Sequence, residues 1–188
     1  MKMKKVVVVG RSNVGKSSVL RLLTGKKVRV GKRPGVTLKP EFIPYKGLLL
    51  VDMPGFGFME GVSTEKQERI KDFIVHYIEK EDIAFAIEII DAKAFLEIAE
   101  RWDARGQIPV DIEMFAFLNE LELNPILVAN KIDKVEKRDK TLDEICQALG
   151  LQPPWWRWRD MIVPFSAKTG EGLQILKKLL DERKRNIY

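Results

Sequence analysis

Four consecutive valines, Val6–Val9, run straight into Gly10-Arg11-Ser12-Asn13-Val14-Gly15-Lys16-Ser17-Ser18, and no other stretch restricts the fold as tightly. A β-branched run without polar alternation is a strand covered on both faces, as in the middle of a parallel sheet. The glycines that follow let the backbone curl until successive N–H groups point inward, forming a nest for anionic oxygen. Val19, Leu22 and Leu23 then share one helical face, and Gly25 ends it. A helix beginning there adds the positive end of its dipole to the nest. Every fixed position of a phosphate-binding loop is present, between the strand and helix that the loop requires. Without those flanks the glycines would be only a tight turn. Lys16 would reach the outer phosphates of a nucleotide, and the Ser17 hydroxyl would ligate Mg2+.

The rest of the chain repeats the alternation. Leu48–Val51, Ile83–Ile90, Ile126–Ala129 and Ile162–Phe165 read as strands. Between them lie amphipathic stretches: Ile70, Phe73, Ile74, Tyr77 and Ile78 behind a capping-box spacing of Thr64 with Gln67, then Met114, Phe117, Leu118 and Leu121, then Leu173, Leu176, Leu179 and Leu180. The expectation is an α/β, three-layer P-loop NTPase sandwich, a mostly parallel sheet flanked by helices, with 1–188 forming one domain. Functional loops in such folds gather at the C-terminal ends of strands. Lys26–Tyr45 and the Trp-rich Pro153–Arg159 are the least regular segments.

Several classes drop out. The basic N-terminus and its apolar run are too short for a signal peptide, and Ile83–Ile90 contains Glu88 and has a strand's length, not a membrane span's. Cys146 is the only cysteine, so no internal disulfide can form, and it reads as a small core residue. The reading is a soluble, cytoplasmic monomer with no membrane partner. A net charge of +6 permits a polyanionic partner without requiring one.

Three further motifs choose the nucleotide. Asp52-Met-Pro-Gly55 follows a strand; its carboxylate can hold a magnesium-bound water, and the Gly55 N–H can sense a terminal phosphate, although Asp-x-Pro-Gly is also an ordinary turn. Asn130-Lys131-Ile-Asp133 follows the next. The Asp133 carboxylate can accept two hydrogen bonds from the donors on guanine's pairing edge, donors that adenine lacks. Lys131 can lay its stem on the base, and Asn130 can tie this loop to the phosphate loop. Ser166-Ala167-Lys168, after the last strand, offers the Ala167 N–H to the guanine keto oxygen. Each motif alone is weak; all four in order, each after a strand, point to guanine.

The set resembles the translation-factor-related class of P-loop GTPases. More narrowly, Gly10–Ser18, Asp52-Met-Pro-Gly-Phe-Gly-Phe58 and Asp111-Ile-Glu-Met114 with Phe117-Leu118 resemble the EngB family of ribosome-biogenesis GTPases. The resemblance covers nearly the whole chain. It implies a GTP/GDP switch with Mg2+ held by Ser17, Thr37 and Asp52, acting in the cytoplasm on the large ribosomal subunit. Asn130 stands where family members often have Thr before the base-reading lysine, which marks a divergent branch.

Many small GTPases orient the attacking water with a Gln in the loop after Asp-x-x-Gly. Phe56 follows Gly55 here, which implies slow intrinsic hydrolysis completed by a partner. Lys16, Asn13, Thr37 and Gly55 are the candidate catalytic residues. Asn13 resembles the asparagine with which potassium-stimulated GTPases help hold K+; its alternative is to shape its own loop. Thr37, among Pro34, Gly35 and Pro40, is the candidate for a first switch toward Mg2+, its alternative being a strand-entry residue.

Lys26–Pro40 is basic and without acids, suited to phosphate or simply to solvent. For Trp155, Trp156 and Trp158, packing of at least two beneath a loop is favoured over stacking on RNA or forming a protein hot spot, Trp156 among those expected to pack. Two other functions are weighed: a guanine-nucleotide-regulated signalling module with little hydrolysis, and an ATP-dependent phosphotransferase, which Asp133 disfavours.

Overall fold

The computed structural model describes residues 3–27 and 39–187. Thr37 lies outside the described residues, as do Arg29, Lys32 and Arg33 of the basic segment.

The elements run β1 (Lys4–Gly10), α1 (Lys16–Thr24), β2 (Glu41–Tyr45), β3 (Leu48–Asp52), α2 (Thr64–Lys80), β4 (Ile83–Asp91), α3 (Phe95–Asp103), α4 (Val110–Glu120), β5 (Ile126–Asn130), α5 (Arg138–Ala148), β6 (Ile162–Pro164) and α6 (Leu173–Arg185). One six-stranded sheet has the order β2-β3-β1-β4-β5-β6, parallel except for the antiparallel β2–β3 pair. The chain leaves β1 toward β3 and later returns to its other side with β4. The β1 terminus is therefore a topological switch point, where a parallel sheet opens a crevice for ligand.

Val6–Val9 are wholly buried, as a strand between two helical layers demands. Val6 and Val8 face one layer with α1 and α6, through Val19, Leu20, Leu23, Leu176, Leu179 and Leu180. Val7 and Val9 face the other with α2 and α4. On that same side α3 and α5 close over β4–β6, where Cys146 is buried and its thiol pushed up to about 11 by the loss of water. The three-layer sandwich expected from the sequence is the observed architecture.

Gly25 caps α1 in the left-handed region, its N–H returning to the Arg21 carbonyl. The α2 cap falls one residue earlier than the Thr64–Gln67 spacing suggests: the Ser63 hydroxyl accepts from the Lys66 N–H, and Gln67 turns its amide to the Val62 carbonyl at 2.8 Å. Leu121 was expected to share the stripe of α4 but is exposed past the helix end. β2, read as irregular, is an edge strand that admits Pro44 because an edge can spare an N–H.

The tryptophans divide. Trp155 and Trp158 pack against the α5 side, with Trp155 Nε1 donating to Asp139 at 2.7 Å and Trp158 Nε1 to the Gln152 carbonyl at 2.9 Å. Trp156 was expected to be packed as well, but it is 52% exposed. Three tryptophans in a single short turn cannot all face the same side, and the middle one points to solvent.

Candidate guanine-nucleotide site

Four loops meet at the C-terminal ends of β1, β3, β5 and β6. The first, between β1 and α1, turns through Asn13 and Gly15 at φ of 69° and 90°. A side chain at Gly15 would collide with Asn130 Nδ2, so glycine is required here for close approach as well as for backbone angle. Lys16 opens α1; its ammonium pairs with Asp52 and donates to the Met53 carbonyl at 2.7 Å. Ser17 is half-buried beside it, and Ser18 is exposed.

The second loop follows β3. Asp52 is buried at the strand end, and Gly55 lies so close to the first loop that a Cβ would stand 2.9 Å from Ser12 Oγ. Phe56 is entirely buried; its carbonyl accepts from the Ser12 N–H at 3.0 Å, and its N–H donates to the Gly10 carbonyl at 3.3 Å. The position after Gly55 thus serves the core and the backbone stitching, with no polar group to offer water.

The third and fourth loops are joined through Asn130. Its side-chain N–H donates to the Val14 carbonyl at 2.8 Å, and its carbonyl oxygen accepts from the Ala167 N–H at 3.0 Å. One buried amide thus ties the phosphate loop to both base-side loops. Lys131, in the left-handed region, reaches the Asn13 carbonyl at 2.8 Å and the Asp91 carboxylate at 2.5 Å. Ser166 Oγ donates to Asp133 Oδ1 at 2.6 Å and accepts from the Thr169 N–H at 3.2 Å. That bond, with Lys168 and Lys134 nearby, holds the Asp133 carboxyl below its usual range. Asp133 therefore remains an acceptor, with one oxygen anchored in the protein. Lys168 itself is exposed.

The predicted residues on β1, β3, β5, β6 and their loops thus converge at one end of the sheet. Sequence reasoning missed Asp91 as a functional residue: at the end of β4 it stands in register with Asn130, pairs with Lys131, and accepts from the N–H groups of Lys93 and Ala94. Its signal was a carboxylate directly after a buried strand. Also missed was a buried group of Glu88, Asp111 and Arg11. Glu88 interrupts an apolar run and is wholly buried, and Asp111 in the first turn of α4 is nearly so. Burial pushes both carboxyls up, Asp111 to about 7 despite Arg11 beside it.

Among the described residues no three His, Cys, Asp or Glu side chains gather as a metal cage. Mg2+ typically borrows phosphate oxygens and keeps its waters, so the hydroxyl of Ser17 with the carboxylate of Asp52 is a fitting hard-oxygen donor set.

Comparison with known proteins decides the family. Residues 5–131 match the family described as 50S ribosome-binding GTPase. The chain is 58% identical over 189 residues to the "Probable GTP-binding protein EngB" of Methanopyrus kandleri, covering 97% of this chain and 93% of that one. The chain belongs to the EngB family of P-loop GTPases. The EngB relative of Methanosarcina mazei is 53% identical, with 95% of this chain and 87% of that one covered. A crystal structure of a probable GTP-binding protein engB superposes with a TM-score of 0.89 at 43% identity, covering 97% of this chain and 99% of that one. Like its EngB relatives, the protein is a GTP-binding protein, and the family carries GTPase activity. Among the described residues no helix is long and apolar enough to cross a membrane.

Proposed function

We propose that residues 1–188 form a single cytoplasmic GTPase domain, a monomer that binds GTP and GDP with the motif residues named above and acts as a switch during assembly of the large ribosomal subunit. The observation that carries the site is the Asn130 bridge. One amide fixes the phosphate loop at Val14 and the base-side loop at Ala167, so a ligand that fits one loop is held at a set span from the other. The ribosomal role draws its support from the family description, 50S ribosome-binding GTPase.

In this reading the inward N–H groups of residues 10–18 bind the phosphates, and Lys16 exchanges its Asp52 partner for phosphate oxygen. Asp133 and the Ala167 N–H read guanine, and Lys131 covers the base. Mg2+, held by Ser17, Thr37 and a water on Asp52, would supply charge neutralisation at the phosphates. Gly55 and Thr37 respond to the terminal phosphate, whose loss releases both. With Phe56 committed to the core, intrinsic hydrolysis is slow. A partner, or a K+ that Asn13 would help hold, would supply the missing positive charge.

Two measurements test this. Fluorescent GDP should stay bound in excess ATP, and Asp133→Asn should transfer the preference to xanthine nucleotide; displacement by ATP would refute the guanine site. Purified large ribosomal subunits should co-sediment with the GTP-analogue form in a salt-sensitive way and not with the GDP form. No association in either form would leave the alternative of a signalling module.

A further inference from the structure

Arg11 lends the proposed phosphate cradle its backbone N–H, while its side chain faces Asp111 and Gly57. That side chain is only 11% exposed, and its guanidinium stands 3.6 Å from the Asp111 carboxylate at the start of α4. On its other flank runs the segment after Asp52-Met-Pro-Gly55. Gly57 sits at φ 79°, and a Cβ there would fall 3.0 Å from Arg11 Nε and 3.5 Å from Arg11 Cγ. Arg11 and Phe56 also form an isolated parallel bridge, flanked by the Ser12–Phe56 and Gly10–Phe56 backbone bonds. The guanidinium is thus clamped between a switch segment and a buried carboxylate. It fills the space that Gly57 leaves by lacking a side chain.

The grouping is unusual in its balance. Arg11 Nη1, Asp111 Oδ1 and both Glu88 oxygens are buried without hydrogen-bond partners. A buried ion pair with such incomplete satisfaction adds little to stability, since desolvation cancels most of the attraction. Its place beside the phosphate loop is explained better by what it positions. Arg rather than Lys suits that task, because a planar fork can face Asp111 and still lie flat along a backbone.

We propose that Arg11, braced by Asp111, is a positioning residue that holds residues 55–57 against the phosphate loop, so that the Gly55 N–H is already placed for the terminal phosphate of GTP. This rests on the reading that Gly55 senses that phosphate. The bracing lowers the ordering cost of binding GTP and leaves GDP, which lacks the sensed group, almost unaffected. It also makes α4 a mechanical neighbour of the switch segment. A macromolecule that presses on the α4 N-terminus would alter the GTP-to-GDP preference through Arg11.

The test compares affinities for fluorescent GDP and a non-hydrolysable GTP analogue, in the full chain with Mg2+, for the wild type and for Arg11→Ala, Arg11→Lys, Asp111→Asn and the double variant Arg11→Ala/Asp111→Asn. Expected is a loss of about tenfold in the GTP-analogue-to-GDP affinity ratio for Arg11→Ala and Asp111→Asn, an effect within the usual range of coupling between sites. GDP affinity should stay within about twofold, and the double variant should be no worse than either single one. Arg11→Lys should recover part of the ratio, which a purely structural role would not predict. Thermal melts identify variants that fold; Arg11→Lys keeps the proposal testable if Asp111→Asn does not. An unchanged ratio in every folded variant, or equal losses for both nucleotides, overturns the proposal. Gly55→Ala separates the two layers, since it keeps the N–H but its Cβ, 2.9 Å from Ser12 Oγ, forces that N–H away from the phosphate loop: if the GTP-analogue-to-GDP ratio is unchanged, the Gly55 reading itself fails. If it lowers that ratio while the Arg11 and Asp111 variants do not, only the bracing fails.

Discussion

The two halves of the site, both at the C-terminal edge of one sheet, treat their polar groups in opposite ways. Around β5 and β6 the accounts close. Asn130 uses both ends of its amide, Ser166 both donates and accepts, Lys131 reaches two oxygens, and Asp133 is anchored at one oxygen with the other left for a ligand. Around β1, β3 and β4 they do not. Lys16 is bonded to Asp52, a partner the proposed phosphate contact would replace, and the buried Glu88, Asp111 and Arg11 keep unpaired atoms. A satisfied network has one geometry and resists change; a partly satisfied one sits nearer to alternative arrangements. On the proposed reading, the half assigned to the base is the more fully bonded, and the half assigned to the phosphates holds the unpaired groups.

The most damaging way to break the more fully bonded half is Asp133→Asn. GDP affinity should fall by roughly a thousandfold, as expected when a site that reads donors loses its acceptor, and titration with fluorescent GDP and xanthosine diphosphate will measure the exchange. A loss below tenfold would mean that Asp133 does not face the base.

A pH titration sharpens the contrast on the half with the unpaired groups. Glu88 and Asp111 both have folded-state pKa values raised by burial; Arg11 and Asp91 face Asp111, and Asp111 faces Glu88. The folded state therefore holds protons that the unfolded chain has released. Their contribution to stability is greatest below the ordinary carboxylate range and falls as pH rises. The Asp111 share is lost between its unfolded value of 3.8 and about 7. If fully expressed it amounts to about 4 kcal/mol, by the conversion of pKa shift into free energy. Urea midpoints measured from pH 4 to 8 should decline, and Glu88→Gln should flatten the curve by removing one ionisation. A flat wild-type curve would show that the carboxyls find partners in solution.

Asn130→Ala comes next. It strands the Val14 carbonyl and the Ala167 N–H, and should cost about 2–3 kcal/mol of stability, as expected for two buried hydrogen bonds, with nucleotide affinity falling alongside. The smallest effect belongs to Ser166→Ala. Asp133 loses its anchor and its carboxyl returns toward the ordinary range, so GDP affinity should drop about tenfold while guanine preference persists. Should Ser166→Ala abolish guanine preference, Ser166 itself would be the reader.

Much of this was legible beforehand. The strands that carry motifs are short apolar runs, and the runs at Val6, Leu48, Ile126 and Ile162 begin where or close to where the strands begin. β2 was not legible, because Glu41–Tyr45 holds a proline and charged neighbours and becomes a strand only by pairing with β3. α3 and α5 were legible but not read: Phe95, Ile98, Ala99 and Trp102, and Leu142, Ile145, Cys146 and Leu149, recur at helical spacing. Trp156 could not be told from Trp155 and Trp158 by residue type, because only the turn decides which ring meets α5.

Residue order alone determined that a glycine nest would stand between a buried strand and a helix, and that three further loops would each follow a strand. These are local matters: backbone freedom at glycine and the period of apolar residues act within a few positions. Tertiary packing alone decided that Asn130 would reach Val14, that Asp91 would meet Lys131, and that Arg11 would lie between Gly57 and Asp111. Each of these joins distant parts of the chain. A charge becomes costly, useful or neutral only when the fold has set what surrounds it, since desolvation and partner distance, not residue type, fix its energy.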